Sequence, residues 1–115
     1  MIKVKRVYEK SERDDGCRVL VDRLWPRGMK KEAAHLDAWL KEVAPSDALR
    51  KWFGHDPEKW GEFQKKYRVE LGKQKELIAE LKQMEKQKGT LTLLFGAKDQ
   101  EHNEAVVLAA VLKTK

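Results

Sequence analysis

Cys17-Arg18-Val19-Leu20-Val21-Asp22-Arg23-Leu24-Trp25-Pro26-Arg27-Gly28 is the stretch that decides the fold. Neighbouring side chains of an extended chain point to opposite sides, so the consecutive Val19, Leu20 and Val21 make both faces apolar. A strand of that kind suits a sheet covered on both sides, the usual setting of parallel strands. Pro26 and Gly28 end the run, and Pro26 biases Trp25 toward extended backbone. A strand is therefore predicted over residues 17–25.

Working outward, residues 2–8 (Ile-Lys-Val-Lys-Arg-Val-Tyr) alternate apolar and polar until Arg6 and predict an earlier strand. Asp15-Gly16 marks a turn between the two. Thr90–Ala97 (Thr-Leu-Thr-Leu-Leu-Phe-Gly-Ala) is β-branched and apolar, with no polar helical face, and predicts a third strand. The roughly sixty residues between the second and third strands are long enough for a crossover, so those strands are expected to run parallel.

Helical spacing fills that connection. Leu36, Trp39, Leu40 and Val43 fall at i, i+3, i+4 and i+7 and predict a helix over 32–43, stopped by Pro45. Ser46 is placed to cap a short helix running through Arg50 and Phe53, closed by Gly54. Asp56-Pro57-Glu58 is a helix start, with a cap, a first-turn proline and an acid at the positive dipole end. Trp60, Phe63, Tyr67 and Leu71 hold one face as far as Gly72. Leu77, Ile78, Leu81 and Met84 continue a stripe to about Lys88, near the end of the longest helical pattern. The apolar run Ala105–Leu112 predicts a buried last helix, for which Asp99 is the expected cap. The fold class expected is α/β, a small, mostly parallel sheet covered by helices, in a single domain spanning 1–115.

Bulk properties narrow the class of function. In 115 residues there are 25 Lys and Arg against 19 Asp and Glu, a net charge of +6, and 38% of residues are charged. Four Trp and three Phe, with many Leu and Val, supply a core, so a disordered chain is excluded. No apolar run reaches the length of a membrane span. The start, Met-Ile-Lys-Val-Lys-Arg-Val, lacks the apolar stretch of a secretory signal, and cytoplasmic residence with no membrane partner is expected. Cys17 is the sole cysteine; it forms no internal disulfide and no thiolate zinc site, and packing is its expected role. The basic charge invites nucleic acid, but acids are interspersed with bases, so nucleic acid is not the favoured partner.

Ligands of open α/β sheets bind beyond the carboxyl ends of the strands. Two polar segments, 22–28 and 96–103, follow the second and third strands and converge if the sheet is parallel. In them Arg23 and Arg27 suit an anion, because guanidinium forks bind carboxylate or phosphate bidentately. Lys98 and the start of the last helix add positive field. Trp25 is a lid or stacking platform. Asp99 and Asn103 orient, and Arg50 contributes a further cation. His55, just before a helix start, is the candidate acid or base, with Asp22 beside it as the second candidate catalytic residue. His35 is assigned no role. No His-x-x-x-His pair, phosphate loop, Gly-x-Ser-x-Gly elbow or dinucleotide glycine fingerprint occurs, so no metal and no cofactor is assigned.

The strings Arg6-Val7-Tyr8, Arg18–Gly28, Ala44-Pro45-Ser46, Leu49–Pro57, Ala97-Lys98-Asp99 and His102-Asn103 together resemble the domain-of-unknown-function family 488, in its YeaO-like branch. Val21-Asp22-Arg23-Leu24-Trp25-Pro26-Arg27-Gly28 is the most specific of them. The resemblance covers nearly the whole chain and implies a small cytoplasmic α/β protein of bacterial or archaeal type whose signature residues form a site, with no reaction attached. Phe95-Gly96 departs from the Tyr-Ala or similar pair the family would be expected to carry, which bears on local packing. The functional expectation is a polar, arginine-rich site for an anionic small molecule, phosphate or nucleotide-like. The alternatives are a non-catalytic regulatory or interaction protein and a nucleic-acid-binding module.

Overall fold

The computed structural model describes residues 1–114. Four parallel strands, β1 (Ile2–Arg6), β2 (Cys17–Leu20), β3 (Ala38–Trp39) and β4 (Leu91–Phe95), form one sheet in the order β1-β4-β2-β3. Five helices accompany them: α1 (Lys31–Ala34), α2 (Asp47–Phe53), α3 (Trp60–Leu71), α4 (Lys75–Lys88) and α5 (Glu104–Lys113). The strand formed last in sequence, β4, lies between the first two. Val4 pairs with Leu93 on one side and Val19 pairs with Leu93 on the other. The expected parallel relation of the second and third predicted strands is thus met, and β1 runs parallel as well.

Alternation along the strands separates two faces with different chemistry. Val19, Val21, Leu91, Leu93 and Phe95 face the helical side and pack with Leu49, Phe53, Phe63, Tyr67, Leu81 and Leu108 in the main core. Leu20 and Leu94 face the other side, where Val7, Ala34, Trp25, Met29, Leu36 and Trp39 cover them. The two-sided apolar run at 19–21 is therefore buried on both sides, but the second cover is a looping segment with one helical turn. The β2 ladder is also shorter than expected: it ends at Leu20, although Val21 still donates its amide to Leu94.

On the second face, at the amino end of the sheet, the cover is ionic. Asp15 is fully buried and meets Lys3 at 3.3 Å, Lys5 at 3.1 Å and the Arg18 guanidinium. Burial opposes ionisation of Asp15, but the Glu12 amide and the Lys5, Arg18 and Lys3 side chains outweigh it and hold the carboxyl at about 2. Thr92 donates its hydroxyl to the Asp15 carbonyl at 2.6 Å. The Asp15-Gly16 turn forms as expected, and glycine is required there. Its φ is +63°, and a Cβ would lie 2.3 Å from the Thr90 carbonyl oxygen.

One predicted element is overturned. Residues 32–43 do not make a single helix. They form the short α1, a left-handed turn at His35, the two-residue strand β3, and a 3-10 turn at Lys41–Val43. The reason is tertiary: Arg18 donates to the carbonyls of Ala34 and His35 at 3.0 Å, removing acceptors that a continuing helix would use. Asp37 accepts the Arg18 amide at 2.8 Å, and Leu40 donates to Leu20 at 3.0 Å, so this stretch docks along β2. The i, i+3, i+4, i+7 stripe is divided accordingly, Leu36 and Trp39 covering the second face while Leu40 and Val43 join the main core.

Helices α2 and α3 keep their expected starts. The Ser46 hydroxyl accepts the Leu49 amide, and Gly54 closes α2 with φ +51°. Asp56 caps the turn at Pro57–Lys59, which leads into α3. The Glu70 carboxylate accepts from both the amide and the hydroxyl of Ser46, tying α3 to the start of α2. Tyr67 donates its hydroxyl to the Val43 carbonyl at 2.6 Å inside the core.

Candidate functional site

Because all four strands run parallel, their carboxyl ends share one edge, and the loops leaving them meet there. A cleft of ≈ 310 Å³ opens at that edge. Tyr8 enters it beyond β1, residues 22–27 beyond β2, and Gly96 and Ala97 beyond β4. The opposite wall is helical: Arg50, Phe53 and His55 at the end of α2, Phe63 from α3, and His102, Asn103 and Glu104 at the start of α5. The volume is at the lower end of the range of small-molecule sites.

Seven of the nine candidate residues line this cleft: Asp22, Arg23, Trp25, Arg27, Arg50, His55 and Asn103. Lys98 and Asp99 do not line it. Their roles differ in a way that only hydrogen bonding reveals. Arg23 donates Nε to the Pro45 carbonyl and Nη2 to the Ala44 carbonyl, both at 3.1 Å, so its fork fastens the segment before α2. Trp25 donates Nε1 to the Met29 carbonyl at 2.7 Å and packs edge-on against Trp39 at 5.3 Å. Asn103 is 2% exposed and is the true cap of α5, accepting the Val106 amide at 3.1 Å. It also donates to the Asp99 carbonyl.

Asp99 therefore does not cap α5. Its carboxylate instead accepts the amides of Glu101 and His102, and lies 2.9 Å from His102 Nδ1. The Glu101 amide and the His102 side chain hold Asp99 below the usual carboxylate range. The cap falls to Asn103 because an extended residue is needed immediately before the first helical turn, and Asn103 has that backbone.

Arg27 and Arg50 remain as the exposed guanidinium groups of the cleft. Arg50 has a contact of 3.4 Å to Asp47 on the α2 surface, an exposed pair of small energetic weight. The Arg27 backbone carbonyl is held by the Tyr8 hydroxyl at 2.7 Å, which fixes the loop that carries it. Arg6, whose guanidinium lies 4.7 Å from the Tyr8 ring, donates to the carbonyls of Gly96 and Ala97 and secures the facing loop. His55 sits at the wall in a left-handed turn, φ +58°.

Several lining residues lie outside the candidate set, among them the titratable Glu104 and His102. Glu104 stands at the start of α5, and burial, then the influence of Asp22, pushes its carboxyl well above the usual range. His102 faces the cleft with its ring edge-on to Trp60 at 5.2 Å. Glu104 opens α5 and His102 lies in the loop just before its cap, but the residue that acts on Glu104, Asp22, is 82 positions away from it. Away from the cleft, Glu12, Asp14 and Asp15 cluster closely enough to suggest a cation, but Lys3, Lys5 and Arg18 already compensate them.

An all-parallel sheet packed against helices, with a cleft at its strand ends, defines a small α/β protein. The chain belongs to the inactive DUF488-N3 subclade, whose family model matches residues 1–115. It is 44% identical to the uncharacterized protein YeaO of Escherichia coli (strain K12) over 113 residues, 98% of this chain and 97% of that protein. It is 40% identical to the uncharacterized protein Rv3073c of Mycobacterium tuberculosis (strain ATCC 25618 / H37Rv), covering 96% of this chain and 92% of the relative. The same figures hold for the uncharacterized protein Mb3100c of Mycobacterium bovis (strain ATCC BAA-935 / AF2122/97). No solved structure matches the chain. No helix among the described residues is long and apolar enough to cross a membrane.

Proposed function

We propose that the strand-end cleft binds a small organic anion of the phosphate or nucleotide type, without turnover. The observation that carries this is the pairing of two exposed guanidinium groups, Arg27 and Arg50, with aromatic walls from Tyr8, Trp25 and Phe53 in one cleft. Guanidinium groups recognise the anion, and flat apolar walls favour a planar organic portion. Binding without turnover agrees with the description of the matched family as inactive.

The test is calorimetric titration of the protein with inorganic phosphate and with a nucleoside monophosphate at fixed ionic strength. Saturable binding is expected, weakened by about tenfold or more in Arg27→Ala, consistent with loss of a charge-assisted hydrogen bond. Failure of both probes to bind, or binding as tight as native by both the Arg27→Ala and Arg50→Ala variants, sinks the proposal.

A further inference from the structure

The loop between β4 and α5 builds a carboxylate–imidazole pair at the wall of the cleft. Asp99 Oδ1 accepts the amides of Glu101 and His102 at 2.9 and 3.1 Å, and Asp99 Oδ2 lies 2.9 Å from His102 Nδ1. Asn103 donates to the Asp99 carbonyl at 3.0 Å, which ties the pair to the cap of α5. The carboxylate is thus held by backbone amides and aimed at one ring nitrogen. The imidazole also stands edge-on to Trp60 at 5.2 Å. Asp99 lies outside the cleft, and His102 lines it.

With Nδ1 committed to Asp99, Nε2 decides what His102 can do. Among the described residues Nε2 has no hydrogen-bond partner, and no buried side-chain nitrogen or oxygen is left without one. Nε2 is therefore open, at a residue that lines the cleft. A carboxylate at Nδ1 fixes the tautomer and stabilises the imidazolium, which has an N–H at both nitrogens. His55 lines the cleft too, but among the described residues no side chain hydrogen-bonds its ring; its contact is Phe53, at 6.2 Å. Arg23 and Arg27 from the segment after β2, and Arg50 from the end of α2, share the cleft with His102 and oppose a further positive charge. Asp22 and Glu104 share it and favour one. The α3 residue against the ring, Trp60, is neutral, and the exposed Lys98 and Glu101 on the loop itself are of opposite sign. An anion seated between the guanidinium groups adds to the Asp99 charge and favours the imidazolium.

We infer that His102, aimed by Asp99, is a third cationic contact of the anion site and selects the dianion of a phosphate monoester over a singly charged diester. This rests on the anion-binding reading above and adds the charge state of the ligand. Arg27 and Arg50 are always charged and accept either species. His102 differs, because its outer nitrogen is an acceptor when neutral and a donor only when protonated. A phosphate oxygen bearing the second negative charge stabilises that proton, which comes from solvent. Binding of the dianion is therefore coupled to uptake of a proton at Nε2, and binding of the diester is not.

Calorimetry in two buffers of different protonation enthalpy reads affinity and proton uptake together. The probes are adenosine monophosphate and its methyl phosphodiester, which carries one negative charge fewer. At about pH 7.5, where an ordinary imidazole is mostly neutral and the monoester mostly dianionic, native protein should bind the monoester about tenfold more tightly and take up a proton only with it. His102→Gln, whose amide donates but cannot become charged, should lose both the uptake and the preference while still binding both esters. Asp99→Asn should lower the pH at which the His102 imidazole resonance titrates in the ligand-bound protein, a readout that a merely structural Asp99 would not move. Equal native affinity for the two esters, or proton uptake that survives His102→Gln, overturns the inference and leaves the anion reading standing. Failure of both esters to bind overturns both. Should a variant not fold, the native imidazole resonances decide, and a His102 titration unmoved by adenosine monophosphate overturns the inference.

Discussion

Arg18 and Asp15 form an ion pair closed off from water, on strand β2 and on the turn that precedes it. The same Arg18 side chain donates to the carbonyls of Ala34 and His35. One guanidinium thus closes the amino end of the sheet and ends α1 together.

Replacement of Asp15 by Asn leaves Lys3, Lys5 and Arg18 facing one another around a neutral group. A loss of about 3–5 kcal/mol of unfolding free energy is expected, as for removal of one member of a buried pair. Urea denaturation at neutral pH measures it. The sign with pH follows from the depressed carboxyl, which is 3.8 when unfolded and about 2 when folded. The stabilisation is fully present above the unfolded value and is lost as pH falls from about 4 toward 2. Native protein should weaken across that window, and the Asn variant should show a smaller change there.

Arg23 and Arg27 sit four positions apart and line the same cleft, yet their substitutions should differ in kind. Arg23→Ala orphans the carbonyls of Ala44 and Pro45, both on buried residues, and should cost about 1–3 kcal/mol of stability. Arg27→Ala removes an exposed side chain and should stay within about 0.5 kcal/mol of native stability. Thermal melting of the two variants side by side distinguishes them, and equal large losses would contradict the assignment of Arg27 as a ligand group.

Tyr67→Phe deletes a buried hydroxyl whose hydrogen bond goes to the Val43 carbonyl in the core. The orphaned acceptor should cost about 1–3 kcal/mol. Burial, followed by the nearby Glu104, Glu70 and Asp22 charges, raises the Tyr67 hydroxyl well above the usual tyrosine range. Spectrophotometric titration of the native protein should therefore show one of the two tyrosines ionising only when the fold is lost.

Cys17 is 6% exposed at the start of β2, and burial pushes its thiol upward, with Asp37 adding to the shift. The nucleophile is the thiolate, so native protein should react with a thiol reagent far more slowly than urea-unfolded protein. Comparable rates in the two states would show that this end of the sheet opens readily.

Much of the architecture was legible from local chemistry. Val19-Leu20-Val21 specified burial on both sides because consecutive strand residues must face opposite ways. Ser46, Gly54 and Asp56-Pro57 marked helix ends because caps satisfy backbone groups within a few residues. The helix expected over 32–43 failed for a reason lodged in a distant residue. Leu36, Trp39, Leu40 and Val43 satisfy helical periodicity, but Arg18 takes the carbonyls of Ala34 and His35, and β2 offers Ala38 and Trp39 a strand to pair with. The same long-range logic separates the cleft's arginines: Arg23 is held by Ala44 and Pro45, while Arg27 is not, and nothing in the local pattern of residues 22–28 distinguishes the two.

By itself, the sequence determined a mostly parallel α/β domain, the family resemblance, and the two loop segments from which most of the polar site arises. Periodicity, capping and turn chemistry act over a few residues, so one chain suffices to read them. Tertiary structure decided which candidates face the cleft, that Asn103 and not Asp99 caps α5, and that Asp22 and Glu104 line the same cleft. Those outcomes depend on hydrogen bonds and charges brought together across the sheet, and such contacts have no period in the sequence.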